Sequence, residues 1–335
     1  MRGLTRTMTN SVSSANLSTG RPVEIKKILI CRPNHRLGNL LLTTPLVQEV
    51  ISTFPDCKID ILVKGGLGPI VFKNYKNINA IIALPKKPFS NLVSYLGGWI
   101  SIKKNHYDIV FNVVNDSSSG RLSAQFANAT YKFVSDDSND AQLKVRDHEH
   151  IAKSPVVSFR NYVEKLGFKK SNNEIPTVDI KLSAAELLAG QEVLRNLIKD
   201  ERQTICIYTF ATGEKCYSEV WWNEFYGKLQ AAFPGYNFIE ILPIENVSMI
   251  SFRAPAFYSK DIRQIASVIA NSALFIGADS GIMHLASASQ APTVGLFSIT
   301  NPAAYGPYGN KSIGISTTDM TIDNCIGLIK GVLRQ

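Results

Sequence analysis

Residues 273–297 read ALFIGADSGIMHLASASQAPTVGLF, and they contain one complete unit of an alternating α/β fold. An apolar strand is predicted at 273–278, a helix at 280–289 and a further apolar strand at 292–298. Apolar strands that alternate with helices are typical of parallel sheets covered on both faces. The stretch therefore predicts a strand–turn–helix–strand unit within a parallel sheet.

The same alternation extends over both halves of the chain. In the first half, strands are predicted at 27–32, 58–63, 78–84, 107–114 and 131–134, with helices at 39–53, 89–105, 118–128 and 148–167. In the second half, further strands are predicted at 203–210 and 236–242, with helices at 183–198, 218–232, 259–271 and 320–333. A chain of 335 residues is long enough for two domains.

This pattern predicts an α/β protein with two Rossmann-like, doubly wound domains. The predicted parts are a disordered tail at 1–24, domains at 25–178 and 179–318, and a C-terminal helix at 319–335. Ligands of doubly wound sheets bind at the carboxyl ends of the strands. We therefore expect both domains to face a central cleft with the loops that follow their strands.

The net charge of +9 is unevenly distributed. Residues 25–178 contain 21 Lys+Arg and 12 Asp+Glu, whereas residues 179–335 contain 12 and 14. A basic first half indicates an acidic partner, either nucleic acid or an anionic lipid surface, unless the charge serves only solubility. The sequence lacks the basic-aromatic interleaving of nucleic-acid-binding modules, so we expect no nucleic-acid partner.

Several other classes of protein are disfavoured by composition. No apolar run reaches the roughly 18 residues of a membrane span. The first 22 residues lack the apolar core of a secretory signal. The five cysteines are scattered without metal-ligand spacing, which predicts neither a metal site nor a disulfide framework and favours a reduced, cytoplasmic setting.

The turn GADSG at 277–281 is a candidate anion site. Gly281 lets the backbone approach a ligand closely, and a helix start there presents N–H groups that suit a phosphate. Asp279 can hold sugar hydroxyls, Ser280 can cap the helix or donate, and His284 follows one turn later. Spacing alone equally allows an ordinary capped helix.

A second candidate segment, TFATGEKCYSEVWW at 209–222, follows another predicted strand. Thr209 and Thr212 can line a phosphate loop. Lys215 is either a solvated loop lysine or a cation that neutralises a diphosphate. Trp221 and Trp222 are expected to pack in the core.

The segment ILICRPNHRLGNLLLTTPL at 28–46 reads as strand, polar loop and helix, a common location for a reacting group. The loop ends at Gly38-Asn39. A side-chain amide neither gives nor takes a proton usefully at neutral pH. A neutral imidazole such as that of His35 can serve as a base.

Three segments together resemble glycosyltransferase family 9, the lipopolysaccharide heptosyltransferase family, over about residues 26–310. They are ILICRPNHRLGNLLLTTPLVQEV, GEKCYSEVWW and IGADSGIMHLASASQAPTVGLFSITNPAAYGPYG. The resemblance implies the GT-B architecture of two Rossmann-like domains around a cleft. It also implies inverting transfer of heptose from ADP-heptose to the lipopolysaccharide inner core, with no required metal or cofactor.

The resemblance assigns roles to individual positions. Lys215 corresponds to the lysine that contacts the donor diphosphate, and Glu245 in LPIEN to an acidic residue that holds the ribose. The remaining expected donor-binding residues are Thr209, Thr212, Asp279, Ser280, Gly281 and His284. The expected acceptor-binding residues are Arg32, Arg36 and Gly38.

One position departs from the family pattern. The family's first motif ends in Gly-Asp, whose aspartate is the proposed general base, whereas this chain has Gly38-Asn39. Three alternatives follow: His35 replaces the base, the donor phosphate accepts the proton, or the protein binds a nucleotide sugar without transferring it.

The expected setting is the cytoplasmic face of the inner membrane, with an anionic lipid-linked glycan as acceptor on the basic first half.

Overall fold

The computed structural model describes residues 24–87, 91–114, 117–134 and 149–334, so the predicted tail lies outside the described residues except for Glu24. The chain divides into two compact units, Met1–Pro176 and Thr177–Gln335. Among the described residues, no helix is long and apolar enough to cross a membrane.

The first unit is built on a five-stranded parallel sheet with the order β3-β2-β1-β4-β5. Its strands are β1 (Lys27–Cys31), β2 (Lys58–Lys64), β3 (Ile78–Leu84), β4 (His106–Asn112) and β5 (Asn128–Phe133). The central strand β1 pairs Ile28 with Ile59 of β2 on one side and with Ile109 of β4 on the other. The chain thus reverses its direction of winding between β1 and β4.

The helices of the first unit cover this sheet. They are α1 (Leu37–Leu41), α2 (Thr44–Thr53), α3 (Gly68–Val71), α4 (Leu92–Lys104), α5 (Ser118–Phe126) and α6 (Ser154–Lys165). The single helix predicted at 39–53 is wrong, because α1 ends before Thr43 and α2 restarts with Pro45 in its first turn. Proline fits the first turn of a helix but cannot donate a hydrogen bond within its interior.

Helix α6 begins six residues later than predicted, at Ser154, and again has a proline, Pro155, in its first turn. Its predicted end is confirmed. Gly167 adopts a φ of +88°, and the Phe168 N–H donates to the carbonyl of Val163 at 3.0 Å. A left-handed glycine of this kind ends many helices.

The second unit contains a six-stranded parallel sheet with the order β11-β10-β9-β6-β7-β8. Its strands are β6 (Thr204–Tyr208), β7 (Asn237–Ile241), β8 (Ala256–Phe257), β9 (Leu274–Ala278), β10 (Thr293–Phe297) and β11 (Ile313–Ser316). The two edge strands β8 and β11, of two and four residues, were not predicted. Here the winding reverses between β6 and β9.

The helices of the second unit are α7 (Ala184–Leu197), α8 (Glu219–Ala232), α9 (Ile262–Ala270), α10 (Gly281–Ala288), α11 (Pro302–Tyr305) and α12 (Ile322–Arg334). The predicted core role of Trp222 is confirmed, since it is fully buried among the apolar residues of this unit. Helix α12 buries Cys325 and Ile329 in the same core, so it is an integral part of the second unit.

A capping box at the start of α7 couples this helix to α9. The Ser183 hydroxyl accepts from the Glu186 N–H, and the Glu186 carboxylate accepts from the Ser183 N–H at 2.8 Å. The same carboxylate accepts two hydrogen bonds from Arg263 of α9, at 2.6 and 2.9 Å. These hydrogen bonds from Arg263 hold the pKa of Glu186 well below its ordinary value of 4.5.

This pKa shift predicts a pH dependence of stability. A carboxylate with a lowered folded-state pKa stabilises the fold above its unfolded pKa, and this stabilisation is lost as the pH falls toward the folded value. We expect Glu186→Gln, which preserves the capping geometry, to be less stable than the parent at pH 7. The difference should narrow below a pH of about 4.5. Urea unfolding at neutral and at acidic pH measures this, and a difference that stays constant would contradict it.

Candidate active site

The second unit brings two candidate segments together where its sheet changes direction. Strands β6 and β9 are neighbours, and Tyr208 at the end of β6 pairs with Gly277. The chain leaves both strands at the same edge, toward Lys215 from β6 and directly into Asp279 from β9. In open α/β sheets, such a reversal point opens the crevice in which ligands bind.

An ion pair joins the two segments. The Lys215 Nζ donates to Asp279 Oδ2 at 2.5 Å, and the hydroxyl of Thr300 donates to the same oxygen. Lys215 ends a 3₁₀ turn that starts at Gly213, whose φ of +64° favours glycine. Asp279 is buried, whereas Lys215 is partly exposed. The Lys215 ammonium is therefore fixed at the edge of the sheet by the ion pair, and it remains accessible to a ligand.

The start of helix α10 lies directly beside this pair. Ser280 is its N-cap residue, and the Ser280 hydroxyl accepts from the Met283 N–H at 3.2 Å. The predicted capping role is thus confirmed. Gly281 begins the helix, and His284 lies buried one turn later. The first N–H groups of a helix have no acceptor within the helix and attract anions.

A buried glutamate that sequence reasoning missed supports the same edge. Glu240, near the end of β7, is fully buried and accepts hydrogen bonds of 2.6 Å from both Thr209 and Ser248. Burial raises its pKa above the ordinary value. The Thr209 hydroxyl also accepts from the Met249 N–H at 3.1 Å. Thr209 therefore connects the segment after β6 to the segment after β7, and its hydroxyl is engaged within the unit.

The two other expected donor-binding residues are exposed. Thr212 lies between Thr209 and the Gly213 turn, and Glu245 lies in the loop that follows β7. Glu245 is thus exposed, and the buried carboxylate of this edge, which accepts from Thr209, belongs to Glu240. An acidic residue within the apolar run NFIEI was the sequence signal that could have indicated it.

Two further hydroxyls near this edge were not predicted. The Tyr217 hydroxyl lies 2.7 Å from Thr317 Oγ1, and its ring stacks on Trp221 at 4.2 Å between centroids. Burial raises the pKa of Tyr217 to about 12, and Asp279 contributes in the same direction. Tyr217 therefore remains neutral and able to donate at physiological pH. Its partner follows β11, a strand that the sequence pattern did not reveal.

In the first unit, the segment after β1 lies at the corresponding reversal point beside β4. Arg32 is buried, whereas His35 and Arg36 are exposed. The Arg36 N–H donates to the Asn34 side chain at 2.8 Å, and Arg36 is the N-cap of α1. This turn ends the loop earlier than predicted. The helix consequently contains Gly38 and Asn39, and the prediction that the loop extends to Gly38-Asn39 is wrong.

Asn39 is the third residue of α1, and its side chain is half-buried. Its carbonyl accepts from the Thr43 hydroxyl at 3.0 Å. Within the described part of the chain, the Asn39 side-chain amide has no hydrogen-bond partner. The amide can therefore hydrogen-bond an incoming hydroxyl and orient it, but it cannot remove the proton.

The described ranges, 24–87, 91–114, 117–134 and 149–334, contain no group of three or more His, Cys, Asp or Glu placed to hold a metal ion. The charged and dipolar groups at the edge of the second unit suit an anionic ligand with hydroxyl groups. Two parallel α/β units with polar segments at their reversal points define the GT-B class of fold.

Comparisons with known proteins agree with this class. The family model described as glycosyltransferase family 9 (heptosyltransferase) matches residues 259–326. The chain is 24% identical over 307 residues to lipopolysaccharide heptosyltransferase 3 of Escherichia coli, covering 82% of this chain and 85% of that protein. The resemblance to glycosyltransferase family 9 is thus confirmed, and the comparisons support a glycosyl-transferring enzyme.

Solved structures show the same fold. The glycosyl transferase family 9 protein from Veillonella parvula superposes with a TM-score of 0.74 at 19% identity, covering 93% of this chain and 99% of that one. Escherichia coli heptosyltransferase WaaC with ADP-2-deoxy-2-fluoro heptose superposes with a TM-score of 0.62 at 16% identity, covering 92% and 99%. The predicted GT-B fold is confirmed.

Proposed function

We propose that this enzyme transfers a heptose from ADP-heptose to an acceptor of the lipopolysaccharide-core type, with inversion and without a required metal. The observation that supports it most is the Lys215–Asp279 pair, which lies beside the start of α10 at the reversal point of a Rossmann-like sheet. A relative with the same fold has been solved with an ADP-heptose analogue. We place the reaction at the cytoplasmic face of the inner membrane.

Each group at the edge of the second unit has a role in this proposal. The Lys215 ammonium neutralises charge on the diphosphate, and the N–H groups at Gly281 bind a second phosphate oxygen. Asp279 positions Lys215 and accepts from a hydroxyl of the sugar. As the glycosidic bond breaks, negative charge grows on the leaving diphosphate, and fixed positive groups stabilise it.

The acceptor side is assigned to the first unit. Its basic residues, among them Arg32 and Arg36, favour an anionic acceptor. Asn39 orients the attacking hydroxyl, and the proton passes either to His35 or to the donor phosphate. A neutral imidazole is one common general base in catalysis.

The direct test is incubation with ADP-heptose and truncated lipopolysaccharide cores, followed by mass spectrometry. A core that gains one heptose supports the proposal, whereas unchanged cores with turnover of another nucleotide sugar would refute it.

Asn39 favours one alternative function. A family 9 fold without the usual aspartate can bind ADP-heptose and fail to transfer it, since loss of a general base costs about 10²–10⁴ in rate. Single-turnover measurements at high enzyme concentration separate the two. A slow but complete transfer indicates an enzyme, whereas donor binding with no product indicates a binding protein.

Donor binding should depend strongly on Lys215. We expect Lys215→Ala to weaken ADP-heptose binding by about 1.5–3 kcal/mol, the usual contribution of a hydrogen bond between charged groups. Isothermal titration calorimetry measures the affinity. Lys228→Ala is the matched control, because Lys228 also forms an ion pair but on the exposed surface of α8, with Asp323. Equal affinities of both variants and the parent would remove Lys215 from the donor site.

A further inference from the structure

Helix α4 of the first unit exposes an apolar surface that its fold does not require. Leu92, Val93, Leu96 and Ile100 are between 51% and 83% exposed. At 100° per residue, these four positions fall within an arc of about 100° on one side of the helix. Surface helices normally present charged and polar residues on their outer face.

The opposite side of α4 already supplies its contacts with the sheet. Ile102 is fully buried in an apolar cluster that also contains Leu84 of β3, and Trp99 packs against this cluster. A Cβ at Gly98 would lie 2.5 Å from Leu84 Cδ2, so the helix lies directly on β3. The outward apolar side is therefore additional to the core.

Helix α5 extends this surface. Leu122 and Phe126, one turn apart, are 52% and 42% exposed. The Phe126 ring lies 5.4 Å from that of Trp99, which places α5 next to α4. We call the six residues Leu92, Val93, Leu96, Ile100, Leu122 and Phe126 the apolar face. A contiguous apolar surface of this kind marks a contact with another molecule or with a membrane.

Among the described residues of helices α4 and α5, every charged side chain is positive. The Lys103 Nζ lies 5.5 Å from the centre of the Phe126 ring, and Lys104 is exposed next to it. Between Asp60 and Asp108 the chain contains seven lysines and no acidic residue. An occupant of this surface must therefore be apolar in its interior and negatively charged at its boundary. An anionic lipid bilayer has this arrangement, with acyl chains below phosphate headgroups.

The apolar face also begins near the candidate acceptor residues. Helix α4 follows the carboxyl end of β3, and Lys86 lies in the intervening segment. A Cβ at Gly65 would lie 3.0 Å from Lys86 Cε and 3.5 Å from His35 Cβ. The start of α4 and His35 are therefore at the same edge of the sheet. A membrane bound to the start of α4 would therefore present its lipid headgroups to the residues that follow β1.

We propose that the first unit docks on anionic membranes through the apolar face, which inserts between headgroups while Lys103 and Lys104 bind lipid phosphates. This inference depends on the proposed function only for the identity of the acceptor, a lipid-linked glycan delivered to the edge that holds His35. The docking itself rests on the exposed side chains and the charges around them.

Vesicle co-sedimentation tests the docking. We expect the full chain to sediment with phosphatidylglycerol-containing vesicles and much less with pure phosphatidylcholine. Val93→Glu with Leu96→Glu should reduce partitioning by at least about tenfold, because two apolar side chains leave the interface. Lys103→Gln with Lys104→Gln should reduce it by about fivefold per lysine and weaken its salt dependence.

The matched control is Leu188→Glu with Leu328→Glu. These residues are 66% and 43% exposed on α7 and α12 of the second unit, and this variant should sediment like the parent. Equal sedimentation of the Val93/Leu96 variant and the parent would overturn the proposal. A parent dimer by light scattering that the Val93/Leu96 variant dissociates, with no vesicle binding, would instead assign the face to a second copy.

Calorimetry separates this inference from the proposed function. The Val93/Leu96 variant and the control variant should both bind ADP-heptose as the parent does, since the mutated side chains are outside the donor site. A parent that binds vesicles through the apolar face but does not bind ADP-heptose would refute the proposed function alone. A parent that binds ADP-heptose but sediments with no vesicle would refute the docking alone.

Discussion

Replacing Asn39 with aspartate is expected to raise the rate of heptose transfer by about 10²–10⁴, the usual contribution of a general base. The third position of α1 suits a carboxylate, because the first turn of a helix favours negative charge and keeps such a group ionised. The half-buried side chain has no partner among the described residues that an aspartate would displace. Steady-state transfer to a lipopolysaccharide core measures the rate, and calorimetry checks that donor affinity is unchanged.

His35 provides the complementary test. If its imidazole is the base in the parent, His35→Ala abolishes transfer and leaves ADP-heptose affinity intact, and Asn39→Asp restores transfer in the same chain. The matched control is His106→Ala, since His106 is also exposed but lies at the start of β4, the opposite end of the sheet. An inactive Asn39→Asp together with a fully active His35→Ala would exclude both residues and favour donor-phosphate assistance or a binding role.

The second large effect concerns the stability of the first unit. Arg160→Ala is expected to lower the free energy of unfolding by about 3–5 kcal/mol, because it leaves a buried carboxylate without its partner. Arg160 donates to both oxygens of Glu49, at 2.8 and 2.7 Å, and to the carbonyl of Asn173. It thereby fixes α6 to α2, the helix that follows the one containing Asn39.

Hydrogen exchange measured by mass spectrometry locates this loss. Faster exchange should be confined to the first unit, including the peptides of α2 and α6. Arg202→Ala is the control, because Arg202 pairs with Asp200 at the surface, where an ion pair contributes about 0–1 kcal/mol. Equal exchange of the parent and Arg160→Ala would show that this buried pair adds nothing to stability.

The regular elements could be predicted because each one is specified by its own residues. Strands such as β3, predicted and found at 78–84, follow from largely apolar runs, and α7 follows from its capping box. The errors have local physical causes. Pro45 divides one predicted helix into two, and β8 has only two residues, too few for a recognisable pattern.

The candidate site was predictable only where its residues are adjacent in the sequence. Asp279 and Ser280 form one turn, so their spacing indicated an anion site. The hydrogen bond of Thr300 to Asp279 and that of Thr209 to Glu240 span 21 and 31 positions. Such contacts depend on which strands become neighbours in the sheet, and no local pattern contains that order.

The exposure of the apolar face could not be predicted from the sequence, for a different reason. Leu92, Leu96 and Ile100 read in the sequence as an ordinary apolar helix face, which predicts burial. The structure instead buries Ile102 of the same helix and leaves those three outside. Both sides of α4 are apolar, so the sequence alone does not identify the side that packs on the sheet.

Calorimetric titration of the full chain with ADP-heptose, alongside UDP- and GDP-sugars, tests whether the protein has an ADP-heptose site. We expect saturable binding of ADP-heptose, competition by ADP, and an affinity at least about tenfold weaker in Lys215→Ala, which corresponds to 1.4 kcal/mol or more. No binding of ADP-heptose, or equal binding by the parent and Lys215→Ala, would contradict this expectation.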